Sequence, residues 1–359
     1  MTIAIIGTGA LGSSLAINYA ANKKKVNIWN RTAINVGKLS DLNNRTNQKR
    51  PFINFLKYCS IKNSVEEVVQ GSTTILLCIN AQSVHIFLRK YSHYLRSKPV
   101  VFCSKGIDTK SLLLQTEIGE KFLEQKQLAV LTGPGFSADI ISQKPIALTL
   151  ACLNEKTGKT IQDLLSTPSI RTYLSSDIIG AQIGGSLKNV IAIACGITDA
   201  KGLGDSAKIA IMTRGFNEIK KIGLALGCEL ETLIGLSGLG DLALTCTSTQ
   251  SRNLNYGKNL ASKKPTINQC TVEGKYTATA ACKIADKFDL DIPIIRSVDQ
   301  IIRGIKGIDF LIESLLSRPL RTEKDPVPPL PSFDEPLLYP ATPSPPPALK
   351  RIPPDGKLV

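Results

Sequence analysis

Histidine is almost missing from this chain, with His85 and His93 the only two among 359 residues. Chemistry built on a histidine triad or a histidine-rich metal centre has almost no material here, and no metal site is expected. Any proton transfer falls to Lys, Asp, Glu, Tyr or Cys. The nine cysteines are scattered without a C-x-x-C pair or any metal-ligand spacing, and read as reduced, mostly buried thiols. Aromatic residues are only 5% of the chain and no basic strand interleaves them, so the base-stacking surface of a nucleic-acid binder is not expected despite a net charge of +15. That charge suits anionic small molecules equally well. No run of eighteen apolar residues occurs, since the most apolar stretch, Ile178 to Ile197, is interrupted by Lys188, Asn189 and glycines. Stable membrane insertion is not expected. The opening MTIAIIGTGALG lacks the basic and apolar regions of a secretory signal, and a cytoplasmic location is the expectation.

What is present falls into three stretches. Up to residue 176, short apolar and β-branched runs at Thr2–Ile6, Val26–Trp29, Thr74–Ile79, Val100–Cys103, Ala129–Leu131 and Ile146–Leu150 alternate with amphipathic segments such as Leu11–Asn22 and Val84–Tyr91. Alternation of this kind predicts an α/β domain, a Rossmann-type doubly wound parallel sheet, over 1–176. From 177 to 318 helical periods dominate, for example Asp205–Gly223 behind a candidate N-cap at Asp205, and an all-helical substrate domain is expected. From Arg318 onward the chain holds 13 of its 20 prolines. The segment 319–359 reads as a disordered tail, either a solvated polyproline-II extension or a ligand for proline-recognising domains.

Three motifs carry chemistry. Gly7, Gly9 and Gly12 stand in G-x-G-x-x-G spacing between the first strand and the first helix. There the first glycine makes a tight turn, the second admits a pyrophosphate, and the third packs the helix against the strand; Ala10 and Leu11 lie in the same loop. About twenty residues on, where an NAD-selective site carries an acid, this chain has Asn30, Arg31 and Thr32. Arg31 suits a 2′-phosphate, favouring NADP over NAD, although an exposed loop cation would look the same. In the helical half, Lys188 and Asn189 interrupt a small, apolar helix expected to start near Gly184, where burial would lower the amine's pKa and a snorkelling surface lysine is the other reading. The stretch GLSGLGDLALTCTSTQSRN supplies Asp241, Thr245, Arg252 and Asn253, the last two with forked donors suited to a phosphate. Lys105 follows a strand in CSKGID, at the sheet edge where open α/β folds bind ligands.

Taken together, GTGALG, SKG at 104–106, TGPGFSAD at 132–139, GSLKNVIAIACGI at 185–197, DSAKIAIMTRGFNEI at 205–219, GLSGLGDLALTCTSTQSRN at 235–253 and VEG at 272–274 resemble the bacterial-type NAD(P)-dependent sn-glycerol-3-phosphate dehydrogenases. The likeness runs to about residue 324 and omits the tail. It implies a hydride transfer between NAD(P)H and dihydroxyacetone phosphate, giving sn-glycerol 3-phosphate for phospholipid synthesis, in a homodimer. It further implies Lys188 as proton donor and acceptor and Lys105 beside both substrate and cofactor, with Asp241 as the third catalytic group. Substrate contacts would come from Gly133, Gly135, Thr245, Ser251, Arg252 and Asn253, and cofactor contacts from Ser137, Arg252 and Glu273 besides the glycine loop and Arg31. The family commonly has Thr or Ser where this chain has Gly135, and Glu where it has Asp139; Ser137 is the candidate replacement for the lost hydroxyl. Ketopantoate reductases and 6-phosphogluconate dehydrogenases share part of the LKN segment, whereas the SRN triplet favours a phosphate-bearing triose. A non-catalytic dinucleotide sensor is the reading from another class, and the set Lys188, Lys105 and Asp241 speaks against it.

Overall fold

The computed structural model describes residues 1–32, 55, 57–262, 271–310 and 312, so the expected proline-rich tail lies outside the described residues. Eight strands, β1 (Thr2–Ile6), β2 (Lys25–Trp29), β3 (Cys59–Ile61), β4 (Thr74–Leu77), β5 (Val100–Phe102), β6 (Leu128–Thr132), β7 (Ile146–Ala151) and β8 (Ile170–Ser175), form one sheet in the order β3-β2-β1-β4-β5-β6-β7-β8. Both faces are covered, which is why the strands read as continuous apolar runs: Ile3 and Ile5 of β1 enter one core, Ala4 and Ile6 the other. The chain crosses from one side of β1 to the other between β2 and β4, and the loops leaving β1 and β4 diverge there to open a crevice at their carboxyl ends.

Several expectations are corrected. The sheet is not wholly parallel, because β6 and β7 pair antiparallel. The helix between them, Ser137–Ile141, is too short for a crossover, so the chain turns back beside the strand it left. β3 and β8 were not expected. The first is three residues long, and β8 is an edge strand whose IRTYLS offers few apolar residues to mark it. The first helix, Ala10–Ala21, is not amphipathic, since everything from Gly12 to Ala20 is buried. Two of its polar side chains find partners inside: Asn18 donates to the Ile140 carbonyl at 2.8 Å and to Ser169 Oγ at 3.0 Å, and Ser13 Oγ donates to the Thr8 carbonyl at 2.9 Å, whereas the buried Tyr19 hydroxyl has none. The eight described cysteines are all free thiols.

The helical half is built round one helix, Ile178–Ala200, of whose 23 residues 20 are buried. It starts at Ile178 rather than near Gly184, capped by Asp177, whose carboxylate accepts from the Gly180 amide at 2.7 Å and from the Glu229 amide at 2.9 Å. Length and composition alone would let it span a bilayer, but here other protein surfaces surround it. The next helix, Gly204–Ala225, places Asp205 in its first turn, ion-paired to Lys208, with Leu203 at the N-cap position instead. The helix Arg252–Ala261 crosses the central helix where two glycines meet it. A Cβ on Gly196 would lie 2.0 Å from the Leu254 carbonyl oxygen, and one on Gly257 would lie 2.1 Å from that of Ile193. This backbone-to-backbone approach sets how close residues 251–253 come to Lys188.

Gly257→Leu therefore has no room and should lower stability by about 1–3 kcal/mol in urea unfolding, the usual cost of overpacking. Gly307→Ala, where an added Cβ meets nothing within 4 Å, should stay within about 0.5 kcal/mol of the parent. Equal effects at the two positions would show that the helix crossing is not constrained by these glycines.

Candidate active site

A cavity of about 800 Å³ opens in the crevice at the carboxyl ends of β1 and β4 and runs to the central helix. At its sheet end the glycine loop does what its spacing requires. Gly7 sits at φ 99°, a left-handed conformation natural only to glycine, and a Cβ on Gly12 would lie 1.9 Å from the Gly7 carbonyl oxygen. Gly9 caps the Ala10–Ala21 helix without a side chain, and a Cβ on it would meet nothing. The first-turn amides are thus left facing the cavity, a donor set that fits a pyrophosphate. Gly7, Gly9, Ala10, Leu11, Arg31 and Ser137 line the cavity, while Gly12 lies beneath it as a packing residue. Arg31 is exposed at the rim, and Asn30 holds the turn by accepting from the Thr8 amide and donating to Thr32.

At the other end three elements converge on one carboxylate. Asp241 opens the helix Asp241–Thr247 directly after a wide π-type turn, Leu236–Gly240, and is 1% exposed. Its Oδ2 accepts from Lys105 Nζ at 2.7 Å and its Oδ1 accepts from Lys188 Nζ. Lys105 Nζ also donates to the Gly133 carbonyl at 2.9 Å. Thr245 Oγ accepts from Lys188 Nζ at 2.8 Å and donates to the Asp241 carbonyl at 2.6 Å. Burial is the main reason the Lys188 pKa falls to about 8; the Asp241 carboxylate works against it and the neighbouring Lys105 charge works with it. A snorkelling surface lysine is excluded, since Lys188 is 6% exposed.

The phosphate-type donors are arranged less simply than their spacing suggests. Ser251 is the N-cap of the Arg252–Ala261 helix, its Oγ accepting from the Leu254 amide at 3.2 Å. Arg252 is exposed at the cavity wall. Asn253 is already engaged, donating to Asn189 Oδ1 at 2.9 Å and accepting from the Gly274 amide at 3.1 Å, which leaves one amide hydrogen. Glu273 accepts from the Ala81 amide at 3.2 Å; burial pushes its pKa up to about 7 against that bond and the charge of Arg252. Gly135 has Leu148 and Ile146 side chains 3.3 and 3.4 Å from where a Cβ would stand, so a threonine there would need both to yield. Asp139 turns instead to Lys144, at 2.9 Å.

Lys105, Gly135, Lys188, Asp241, Thr245, Ser251, Arg252, Asn253 and Glu273 all line the cavity, whereas Gly133 acts only through its carbonyl on Lys105. Sequence reasoning missed the role of Asn189, whose amide donates to the Lys105 carbonyl at 3.3 Å and so ties the lysine loop to the SRN segment. It also missed Ser104, whose buried Oγ lines the cavity without a partner, and the wall of Trp29, Phe87, Lys90 and Tyr91. The motif neighbouring Lys188 and Lys105 was the available signal for the first two; the wall had none.

The family models for the NAD-dependent glycerol-3-phosphate dehydrogenase N-terminus and C-terminus match residues 2–158 and 177–313. A glycerol-3-phosphate dehydrogenase [NAD(P)+] of Paracoccus denitrificans is 39% identical over 323 residues, covering 90% of this chain and 100% of that protein. Its counterpart in Cereibacter sphaeroides is also 39% identical, over 321 residues, covering 89% and 100%. Among solved structures, the glycerol-3-phosphate dehydrogenase of Coxiella burnetii is similar at a TM-score of 0.79 with 28% identity, covering 88% of this chain and 99% of that one.

Asp241→Asn should be the costliest single change in the cavity, because two ammonium groups would lose the carboxylate they share. Urea unfolding near neutral pH should show a loss of about 3–5 kcal/mol, the scale for breaking a buried pair. In the wild type Lys188 loses its proton as pH rises through about 8, so the penalty should shrink well above that pH. A penalty independent of pH would mean that Asp241 matters for packing and not for charge.

Proposed function

The chain belongs to the NAD-dependent glycerol-3-phosphate dehydrogenase family, and from that premise we propose how its residues divide the work. The reaction is the reversible reduction of dihydroxyacetone phosphate to sn-glycerol 3-phosphate, in which a reduced nicotinamide supplies the hydride and takes it back in reverse. The ketone carbon gains a hydride and its oxygen must gain a proton. Lys188 donates that proton in reduction and accepts it in oxidation. Lys105 stabilises the charge developing on the oxygen. Asp241 is the group that holds both ammoniums in place, and Thr245 fixes the rotamer of Lys188. Arg252 and the remaining amide hydrogen of Asn253 hold the phosphate, which positions the ketone without distorting it. Ser251 and Gly133 serve by positioning their neighbours, and Gly135 lets its loop line the cavity beside the substrate while packing against Leu148 and Ile146. On the cofactor side, the glycine loop, Ser137 and Glu273 serve the dinucleotide, and Arg31 favours NADPH over NADH.

The observation that carries this reading is Lys188: buried, with a pKa near 8, bonded to Asp241 and Thr245, in the same cavity as an open helix N-terminus. A lysine at an ordinary pKa of about 10.4 would return its proton too reluctantly to serve in both directions near neutral pH. Residues 1–176 are the dinucleotide half and 177–318 the substrate half, each contributing one lysine to the ketone. The working form is a homodimer in the cytosol, supplying glycerophospholipid synthesis with its backbone.

Lys188→Ala should lower kcat at least about 100-fold with little change in NADPH affinity. In the wild type the protonated lysine is needed for reduction, so kcat/KM for that direction should fall as pH rises through about 8, and the oxidation rate should rise over the same range. Both limbs should vanish in the variant. Limbs that survive would assign the proton to another group. Arg252→Lys keeps the charge and loses the fork, so KM for dihydroxyacetone phosphate should rise while unphosphorylated dihydroxyacetone reacts as poorly as before. An equal loss with both substrates would take Arg252 off the phosphate.

A further inference from the structure

We propose that Lys90 is the second cation of a 2′-phosphate clamp, acting with Arg31 to select NADPH; the inference rests on the reading of Arg31 as a residue that favours NADPH. Arg31 follows β2 and Lys90 lies on the helix Val84–Leu95, which comes after β4. These two strands flank β1, so the segments leaving their carboxyl ends approach the glycine loop from opposite sides. One aromatic contact joins the two walls. Trp29, two residues before Arg31, meets Tyr91 edge-on with ring centres 6.0 Å apart, and Lys90 Nζ stands 5.0 Å from the centre of the same Tyr91 ring. Phe87 backs that ring at 5.1 Å. Lys90 and Arg31 both line the cavity at this aromatic end.

The charges there are one-sided. Among the described residues that line the cavity only Asp241 and Glu273 are acids, and both belong to the end formed with the helical half. Among the described residues neither Arg31 nor Lys90 has an acidic partner. A bare ribose offers two hydroxyls that call for an acceptor, and neither cation supplies one. A 2′-phosphate brings close to two negative charges, which a planar guanidinium and a compact ammonium satisfy in complementary ways. The Tyr91 face restrains the exposed Lys90 stem before the ligand arrives, so less rotamer freedom is lost on binding. Arg89, the adjacent exposed cation, does not line the cavity and serves as the control.

Trp29 is the only tryptophan in the chain, so its fluorescence reports binding at this wall directly. Adenosine 2′,5′-bisphosphate and 5′-ADP would be titrated into the full-length wild type and the Lys90→Gln, Arg31→Gln and Arg89→Gln variants, with calorimetry as a second readout. Lys90→Gln should weaken the bisphosphate about tenfold and leave 5′-ADP within about twofold, the scale of one lost charge-assisted contact. The KM for NADPH should rise with it, with turnover on NADH unchanged, and Arg89→Gln should match the wild type. If Arg31→Gln loses the bisphosphate selectively while Lys90→Gln binds as the wild type does, the proposal for Lys90 is wrong and the NADPH reading stands. If Lys90→Gln weakens both nucleotides alike, Lys90 serves the adenine or pyrophosphate and the proposal is wrong. If the wild type and Arg31→Gln bind the two nucleotides equally, the reading of Arg31 fails and takes the proposal with it.

Discussion

One carboxylate, that of Asp241, holds two ammonium groups in a nearly dry site, and much of the helical half is arranged around that fact. Two like charges this close would repel if no anion lay between them. With Asp241 shared, Lys105 stays 21% exposed toward the cavity while Lys188 sits almost fully enclosed. The two lysines therefore differ in kind. Burial holds the Lys188 amine well below the ordinary lysine range, and Lys105 faces the cavity. The asymmetry comes from burial, because both donate to the same carboxylate.

Holding that arrangement requires rigid support, and the chain supplies it through backbone contacts rather than added side-chain bulk. The central helix must carry a charged lysine through an otherwise apolar core, so its neighbours approach closely enough to exclude water. Gly196 and Gly257 let the SRN-bearing helix touch the central one. The Asn189, Asn253 and Gly274 bonds then lock that helix to the next. Asn189 also reaches the Lys105 carbonyl, so the lysine from the sheet edge is registered against the lysine from the helix. Asn189, Asn253, Gly274 and the Lys105 carbonyl thus form a connected network, which is the form in which buried polar groups are tolerated.

How much of this could be read from the sequence depends on whether the signal was local. β1 and the glycine loop were legible because a fully buried strand must be apolar and the turn after it must be glycine; both follow from residues adjacent in the chain. β8 was not, because an edge strand has little to bury and its pattern is diluted by polar residues. The antiparallel β7 could not be inferred from its own residues, since direction is set by the brevity of the helix before it. In the site, Lys188, Lys105 and Asp241 were each picked out by an unusual setting, but that Lys105 shares the Asp241 carboxylate with Lys188 was not, because the partners lie 53 and 136 positions from Asp241. Asn253 shows the opposite error. Its residue type suggested a free donor, and only the fold reveals that most of its amide is already used.

The net charge, uninformative as a total, acquires meaning once distributed. The cavity is lined by Arg31, Lys90, Lys105, Lys188 and Arg252 against Asp241 and Glu273, an excess of positive charge along a channel open at one side. Asp241 is consumed by the lysines, and Glu273 is drawn toward its neutral form by burial, so the field presented to an incoming ligand is more positive than the residue count implies. A dinucleotide and a phosphorylated triose are both polyanions that would repel each other in water. Cations at the two ends with helix-terminal amides between them are the arrangement that would let one site hold both at once. The hydride can pass only if the two anions lie side by side, so this spread of positive charge is as much a condition of the reaction as the proton delivery proposed for Lys188.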